Sequence, residues 1–166
     1  MFNYLKKTFY YEPSTYIVAT PKEKIIKKLD ILFVEKKGIF KSPNLRGSFI
    51  DYPNSFTMEP KWSIGNIQSF ERSSAYLKGN ISDAQGGKTM IEILVRPNSI
   101  MGILSLAFLI FGIYNITTFF TLKGHPYKLY AGLSFIFIFI PIFIVMARVS
   151  AQALRKNFEK YLKISS

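Results

Sequence analysis

The chain contains no cysteine. That excludes disulfides, thiolate nucleophiles and Cys-ligated metal, and leaves the redox compartment open. Histidine is nearly as scarce. The single copy, His125, stands in a short polar link with no second ligand type around it, so no metal site is expected there. Acidic residues number ten against twenty-two Lys and Arg. Glu12, Glu23, Asp30, Glu35, Asp51, Glu59, Glu71, Asp83 and Glu92 are scattered, with no pair spaced for acid–base work on one element. Serines are plentiful, but none sits in a nucleophile-elbow context. The sequence therefore gives no reason to expect an enzyme, a metal or a cofactor.

The formal charge of +12 resembles a nucleic-acid signal until the charges are placed. Residues 1–97 carry fifteen basic and nine acidic residues; five basic residues and only Glu159 follow Ala147. No basic stripe interleaved with aromatics stands out, so nucleic acid is not an expected partner. The basic residues instead flank two uncharged apolar runs, Ile100–Leu122 and Leu129–Ala147, joined by the link Lys123–Lys128. Each run is long enough to cross about 30 Å of hydrocarbon as a helix. A chain of 166 residues is too small to bury both rods in a soluble core, so the reading is a transmembrane hairpin. Basic residues near Arg96 and in the tail predict both termini on the cytoplasmic side, with anionic lipid as a partner. No N-terminal signal peptide is legible before Pro13. The alternation FIFIFIPIFI at 135–144 reads as a strand in water, but in lipid the backbone must satisfy itself, and helix wins.

Taken in order, Met1–Tyr11 is either a short interfacial helix, with Lys6 and Lys7 toward phosphate, or a frayed terminus packing an aromatic on the domain. Ser14–Thr20 has strand composition. Thr20, Pro21 and Glu23 then read as N-cap, first helical residue and capping-box partner of a helix ended by Gly38. Its apolar face is Ile25, Ile26, Leu29 and Leu32; its lysines form a solvated face. From Ile39 to Pro97 the chain reads as an antiparallel meander of the runs GIFKS, GSFID, SFTMEPKW, AYLKGNIS and TMIEILVR. Phe56, Met58 and Trp62 fall on one side, and Gly86-Gly87 supplies the positive φ of a hairpin loop. Glu92 is expected to be exposed on a mixed face. Pro97 ends the last strand, and Asn98 or Ser99 caps the first apolar helix.

Within that helix Gly102, Ser105, Gly112 and Asn115 form a candidate packing seam, with Ala131, Ser134 and Pro141 of the second run opposite. Asn115 is expected to make an interhelical hydrogen bond or to meet headgroup water, and Pro141 to kink its helix. In the tail, Ala151, Leu154, Phe158 and Tyr161 form an apolar stripe beside Arg155, Lys156, Lys160 and Lys163. It is either an amphipathic helix on the membrane or under the domain, or a plain basic topology anchor. The fold expected is α+β: a small antiparallel sheet with one helix (1–97), a two-helix hairpin (98–148) and a short amphipathic tail (149–166).

The features FERSSAYLKGNI at Phe70–Ile81, the strand GGKTMIEILVRPN and immediate entry into the membrane resemble a family of small uncharacterised bacterial membrane proteins. In that family an N-terminal α+β domain runs into a C-terminal two-helix transmembrane anchor. The resemblance spans Phe49–Phe111 and implies no enzymatic activity. The strand, helix and curved sheet also resemble a truncated helix-grip (START-like) lipid-binding domain, with the C-terminal helix that closes such a pocket missing. The leading expectation is a non-catalytic accessory or interaction subunit of a bacterial inner-membrane assembly, binding another membrane or cytoplasmic protein or itself. Its candidate contact residues are Phe2, Phe9, Tyr10, Tyr11, Lys6, Lys7 and Arg96, with Arg148, Arg155 and Lys156 at the membrane interface. The alternative is an amphiphile-binding module with Phe40, Phe49, Phe56, Trp62, Ile81 and Ile91 lining its pocket or core.

Overall fold

The computed structural model describes residues 13–34, 45–61, 74–122 and 124–164. Strand β1 (Ser14–Val18) is followed by helix α1 (Lys22–Val34). Strands β2 (Arg46–Asp51), β3 (Ser55–Glu59), β4 (Ala75–Ala84) and β5 (Lys88–Pro97) come next. Two long helices complete the chain, α2 (Ser99–Thr121) and α3 (Pro126–Leu162). The strands make one antiparallel sheet in the order β1-β5-β4-β3-β2. The first strand thus pairs with the last, and β2 to β5 form a meander. The expected run GIFKS and the helix stop Gly38 lie outside the described residues.

Alternation fixes the two faces of the sheet. Thr89, Ile91, Ile93 and Val95 of β5, Leu77 and Ile81 of β4, and Phe56 and Met58 of β3 are buried on one side. Glu92, Arg96, Lys78 and Asn80 are exposed on the other. The β4–β5 hairpin turns through Gln85-Gly86-Gly87, with φ of 75° and 69° at the glycines, values that cost an L side chain strain. The α1 face is the one its periodicity predicts: Ile25, Ile26, Leu29 and Leu32 are all buried against the sheet. Its start differs by one position. The Pro21 carbonyl receives the first helical hydrogen bonds, from Lys24 and Ile25, so Pro21 occupies the cap assigned to Thr20. The Thr20 carbonyl is used elsewhere, accepting from the buried Thr89 hydroxyl at 2.7 Å.

Of the alternatives for the C-terminal segment, the helix packed under the domain is the one the structure shows, with a different boundary from the one expected. The tail is no separate element. It is the continuation of α3, a helix of 37 residues, about 55 Å long at 1.5 Å per residue. Ala151, Leu154, Phe158 and Leu162 lie on β4 and β5 and complete the core with the α1 face. Phe158 stacks on Phe56 with centroids 5.8 Å apart, and both are fully buried. The closing helix that the sequence reading found missing is therefore present. It was disguised because the two long apolar helices intervene between the last strand and the segment that covers the sheet.

Both α2 and α3 are long and apolar enough to cross a membrane, and little of either apolar window is buried within the chain. They pack on each other through aromatic stacking. Phe108 of α2 meets Phe135, Phe139 and Phe143 of α3 at 5.3, 5.5 and 5.4 Å. Residues Phe135–Phe139 form a π-helical turn, in which the Ile140 amide donates to Phe135. Phe135 and Phe139, four apart across this turn, both reach the Phe108 ring. Pro141, where a kink was expected, opens the α-helical stretch that follows this turn.

Candidate functional site

Three arrangements bring polar or close-packed residues together. The first is a clamp between the edge strand and the closing helix. The Tyr16 hydroxyl on β1 donates to Glu159 Oε1 at 2.5 Å, and Arg155 Nε donates to the same oxygen at 2.8 Å. Arg155 also reaches the Tyr16 oxygen at 3.1 Å, with its guanidinium 5.9 Å from the ring centroid. Burial alone pushes the Glu159 carboxyl up. The hydrogen bonds from Tyr16 and Arg155, with the charges of Arg155 and Lys156, outweigh that and hold it below the usual carboxylate range. Tyr16 is raised, first by burial and then by its bond to Glu159 and that group's charge. A second bond from the same helix, Tyr161 hydroxyl to the Lys28 carbonyl at 2.8 Å, fastens α1. Chemically the clamp is a lock: every group in it is turned on another. Arg155, expected at a membrane interface, is engaged with Tyr16 and Glu159 and keeps its side chain partly exposed.

The second arrangement is the seam between α2 and α3. Of the four residues expected there, Gly112 makes the closest approach. A Cβ at Gly112 would lie 2.7 Å from Ile136 and 3.1 Å from the Gly132 carbonyl oxygen. One at Gly132 would lie 2.6 Å from Ile116 and 2.7 Å from the Gly112 oxygen. Gly132 is not singled out by the sequence, where Ala131 and Ser134 near it are also small. Ser105 shares the Gly112 face, and its hydroxyl donates to the Met101 carbonyl at 2.8 Å. Gly102 and Asn115 are turned from that face by about 80° and 60° at 3.6 residues per turn. The Asn115 amide donates to the Phe111 carbonyl of its own helix at 2.8 Å; of the two expectations, this takes the place of the interhelical bond and leaves the contact with headgroup water open.

The third arrangement lies on the open face of the sheet, opposite the core. Among the described residues, shallow hollows run along it. One, of about 410 Å³, is bordered by Pro13, Ile50, Asn80, Lys78 and Glu92. A second, of about 280 Å³, lies between β2 and β4 and contains the ion pair Arg46–Glu59 at 2.6 Å. A third, of about 240 Å³, is walled by Tyr76, Lys78, Leu94, Arg96, Pro97 and Ser99, where β5 passes into α2. At this joint Asn98 is the helix cap: its side chain accepts from the Ile100 amide at 3.0 Å, and its own amide donates to Ser74. Glu92 is exposed, as expected of a mixed face.

Phe56, Ile81 and Ile91 are in the filled core, and Phe49 packs partly buried against it. Lys6, Lys7, Phe2, Phe9, Tyr10, Tyr11, Phe40 and Trp62 lie outside the described residues. Arg148 is half-buried and Lys156 exposed on α3. Among the described residues no three His, Asp or Glu side chains gather as metal ligands. Sequence reasoning missed Tyr16, Glu159, Tyr76 and Lys78. Only Glu159 carried a signal, as the tail's single acid set four residues after Arg155. No family model, curated protein or solved structure matches this chain.

Proposed function

We propose that the chain is a membrane-anchored, non-catalytic interaction subunit that holds an α+β domain against the cytoplasmic face of a bacterial inner membrane. The observation that carries this reading is the continuity of α3. Its first half is apolar and exposed, and its second half is the helix that closes the domain core. An anchor sharing one helix with the domain fixes the domain's height and orientation, which suits presenting a surface to a partner in a membrane assembly. The Asn98 cap, only two residues beyond Arg96, supports the same inference by leaving no flexible tether on the other side. Basic residues at both points of departure favour cytoplasmic termini.

The experiment combines alkaline extraction of membranes with single-cysteine labelling, which the Cys-free sequence permits. Retention in the membrane pellet, with Ser73→Cys protected from external reagent and Gly124→Cys labelled, is the expected result. Gentle detergent extraction and native mass measurement then reveal the partner. A soluble chain overturns the anchor; a bare monomer counts against the interaction role.

A second reading, an amphiphile-binding module of helix-grip type, is favoured by the pairing of the first strand with the last beneath a long C-terminal helix. The interior filled by Phe56, Phe158 and Leu154 weighs against it, because a ligand there has to displace packed side chains.

A further inference from the structure

We infer that the hollow at the joint of β5 and α2 is a headgroup site for an anionic phospholipid. The inference rests on the anchored reading above and goes beyond it by naming the lipid chemistry and the residues that select it.

Position supplies the first argument. The hollow extends to Ser99, the first residue of α2, so a lipid beside that helix has its phosphate at the height of the cavity. Just beyond, Ile103 and Leu106 are exposed along α2 and offer an apolar flank for acyl chains. At about 240 Å³ the hollow is smaller than the roughly 300 Å³ at which pockets for drug-sized molecules begin. It accommodates a headgroup, with the rest of the lipid left in the leaflet.

Charge supplies the second. Among the described residues, the charged members of the wall are Lys78 and Arg96, both cations. They stand on adjacent strands, Lys78 opposite Leu94 and Arg96 opposite Tyr76, so a phosphate between them meets both. The Tyr76 hydroxyl, approached by Asn98 Nδ2 at 3.5 Å, keeps its proton to donate. The positive end of α2 adds to the same field. Glu92 borders the adjoining hollow, which Lys78 also lines. The two cations stand together on the side of the sheet beside the apolar helix. Leu94 and Pro97 supply the apolar part of the wall, which suits glycerol carbons better than a fully hydrated ion.

The test uses the full chain in mild non-ionic detergent, with native mass spectra recorded against added phosphatidylglycerol, phosphatidylcholine and inorganic phosphate. Phosphatidylglycerol is expected to stay bound in preference to phosphatidylcholine. The double variant Lys78→Gln, Arg96→Gln is expected to weaken its retention by roughly thirtyfold, from the charge contribution of two basic groups at a leaflet. Arg96→Lys restores part of the loss, and Lys24→Gln with Lys27→Gln on the exposed side of α1 changes nothing. If the double variant does not fold, the exposed Lys78→Gln alone carries the comparison. Unchanged phosphatidylglycerol retention in a folded variant overturns the proposal. So does displacement of the lipid by millimolar phosphate, which identifies a soluble-anion site instead. Release of the chain by alkaline extraction sinks the anchored reading itself, and that outcome is read independently of lipid retention.

Discussion

The hydroxyl of Tyr16 donates to Glu159 across 143 positions of sequence, joining the edge strand to the helix that closes the domain. Arg155 shares the same carboxylate oxygen, so one acceptor holds two donors. Removing Tyr16→Phe leaves a part-buried carboxylate with one donor fewer and is expected to cost about 1–2 kcal/mol. Chemical unfolding of the detergent-solubilised chain measures it. Glu159→Gln is expected to cost at least as much, because Arg155 then loses its counter-charge.

The same clamp sets a pH dependence of defined sign. The Glu159 carboxyl is held below its ordinary range in the folded state. Its contribution is therefore present above the unfolded carboxylate pKa and lost as pH falls through the lower, folded value. Tyr16 is raised, so its contribution is complete below the ordinary tyrosine pKa and lost as pH rises through the folded value. Stability should be level near neutrality and fall in acid and in strong alkali. In the Glu159→Gln variant the acid decline should shrink measurably, and an identical acid limb in that variant would rule the clamp out as its source.

The residues involved also explain what the sequence disclosed and what it withheld. The α1 face and the Gly86-Gly87 hairpin were legible because period and backbone conformation are local properties, written in a few adjacent residues. The stripe Ala151, Leu154, Phe158 was legible as apolar, with its partner left open between the membrane and the domain. Lipid and a β-sheet make the same demand on such a stripe, and only the path of the chain decides between them. That path turns back through two apolar helices, so the covering helix arrives more than fifty residues after β5 ends. The Tyr16–Glu159 bond was hidden for the same reason. Gly132 was obscured by its small neighbours, since choosing among them requires the rotation of α3 against α2.

Residues 149–166 are consequently expected to behave as core. Phe158→Ala removes a fully buried ring stacked on Phe56 and should cost about 3–5 kcal/mol. Deleting 149–166 should leave membrane retention intact while making the sheet domain sensitive to protease. A truncated chain whose domain resists proteolysis like the full chain would show that this segment merely flanks the fold.

The helix pair offers a graded test. Alanine at Gly112 meets the Ile136 side chain at 2.7 Å, and a side-chain end can move; the nearest backbone atom is at 3.1 Å. Alanine at Gly132 meets Ile116 at 2.6 Å and also the Gly112 carbonyl oxygen at 2.7 Å, which cannot move without the helix. Overpacking of this kind costs about 1–3 kcal/mol, with the larger share expected for Gly132→Ala. Cysteine pairs placed across the α2–α3 seam report the separation through cross-linking yield, which should fall more for Gly132→Ala than for Gly112→Ala.

Gly79 makes a comparable case within the sheet, with a built-in control. It stands opposite Phe56, and an added Cβ would lie 2.2 Å from the tip of that ring, which it would push toward Phe158. Gly79→Ala should therefore destabilise by about 1–3 kcal/mol, since a core packed at crystal density has no adjacent void to receive the ring. Phe56→Leu alone should destabilise as well, by losing ring contacts. The two changes together should cost less than their sum, because leucine vacates the space that the new methyl needs. A double-mutant cycle measured by denaturant unfolding gives the coupling directly. Strict additivity would mean that Phe56 does not hold its ring over Gly79, and the packing of β3 on β4 beneath the closing helix would then have to be redrawn.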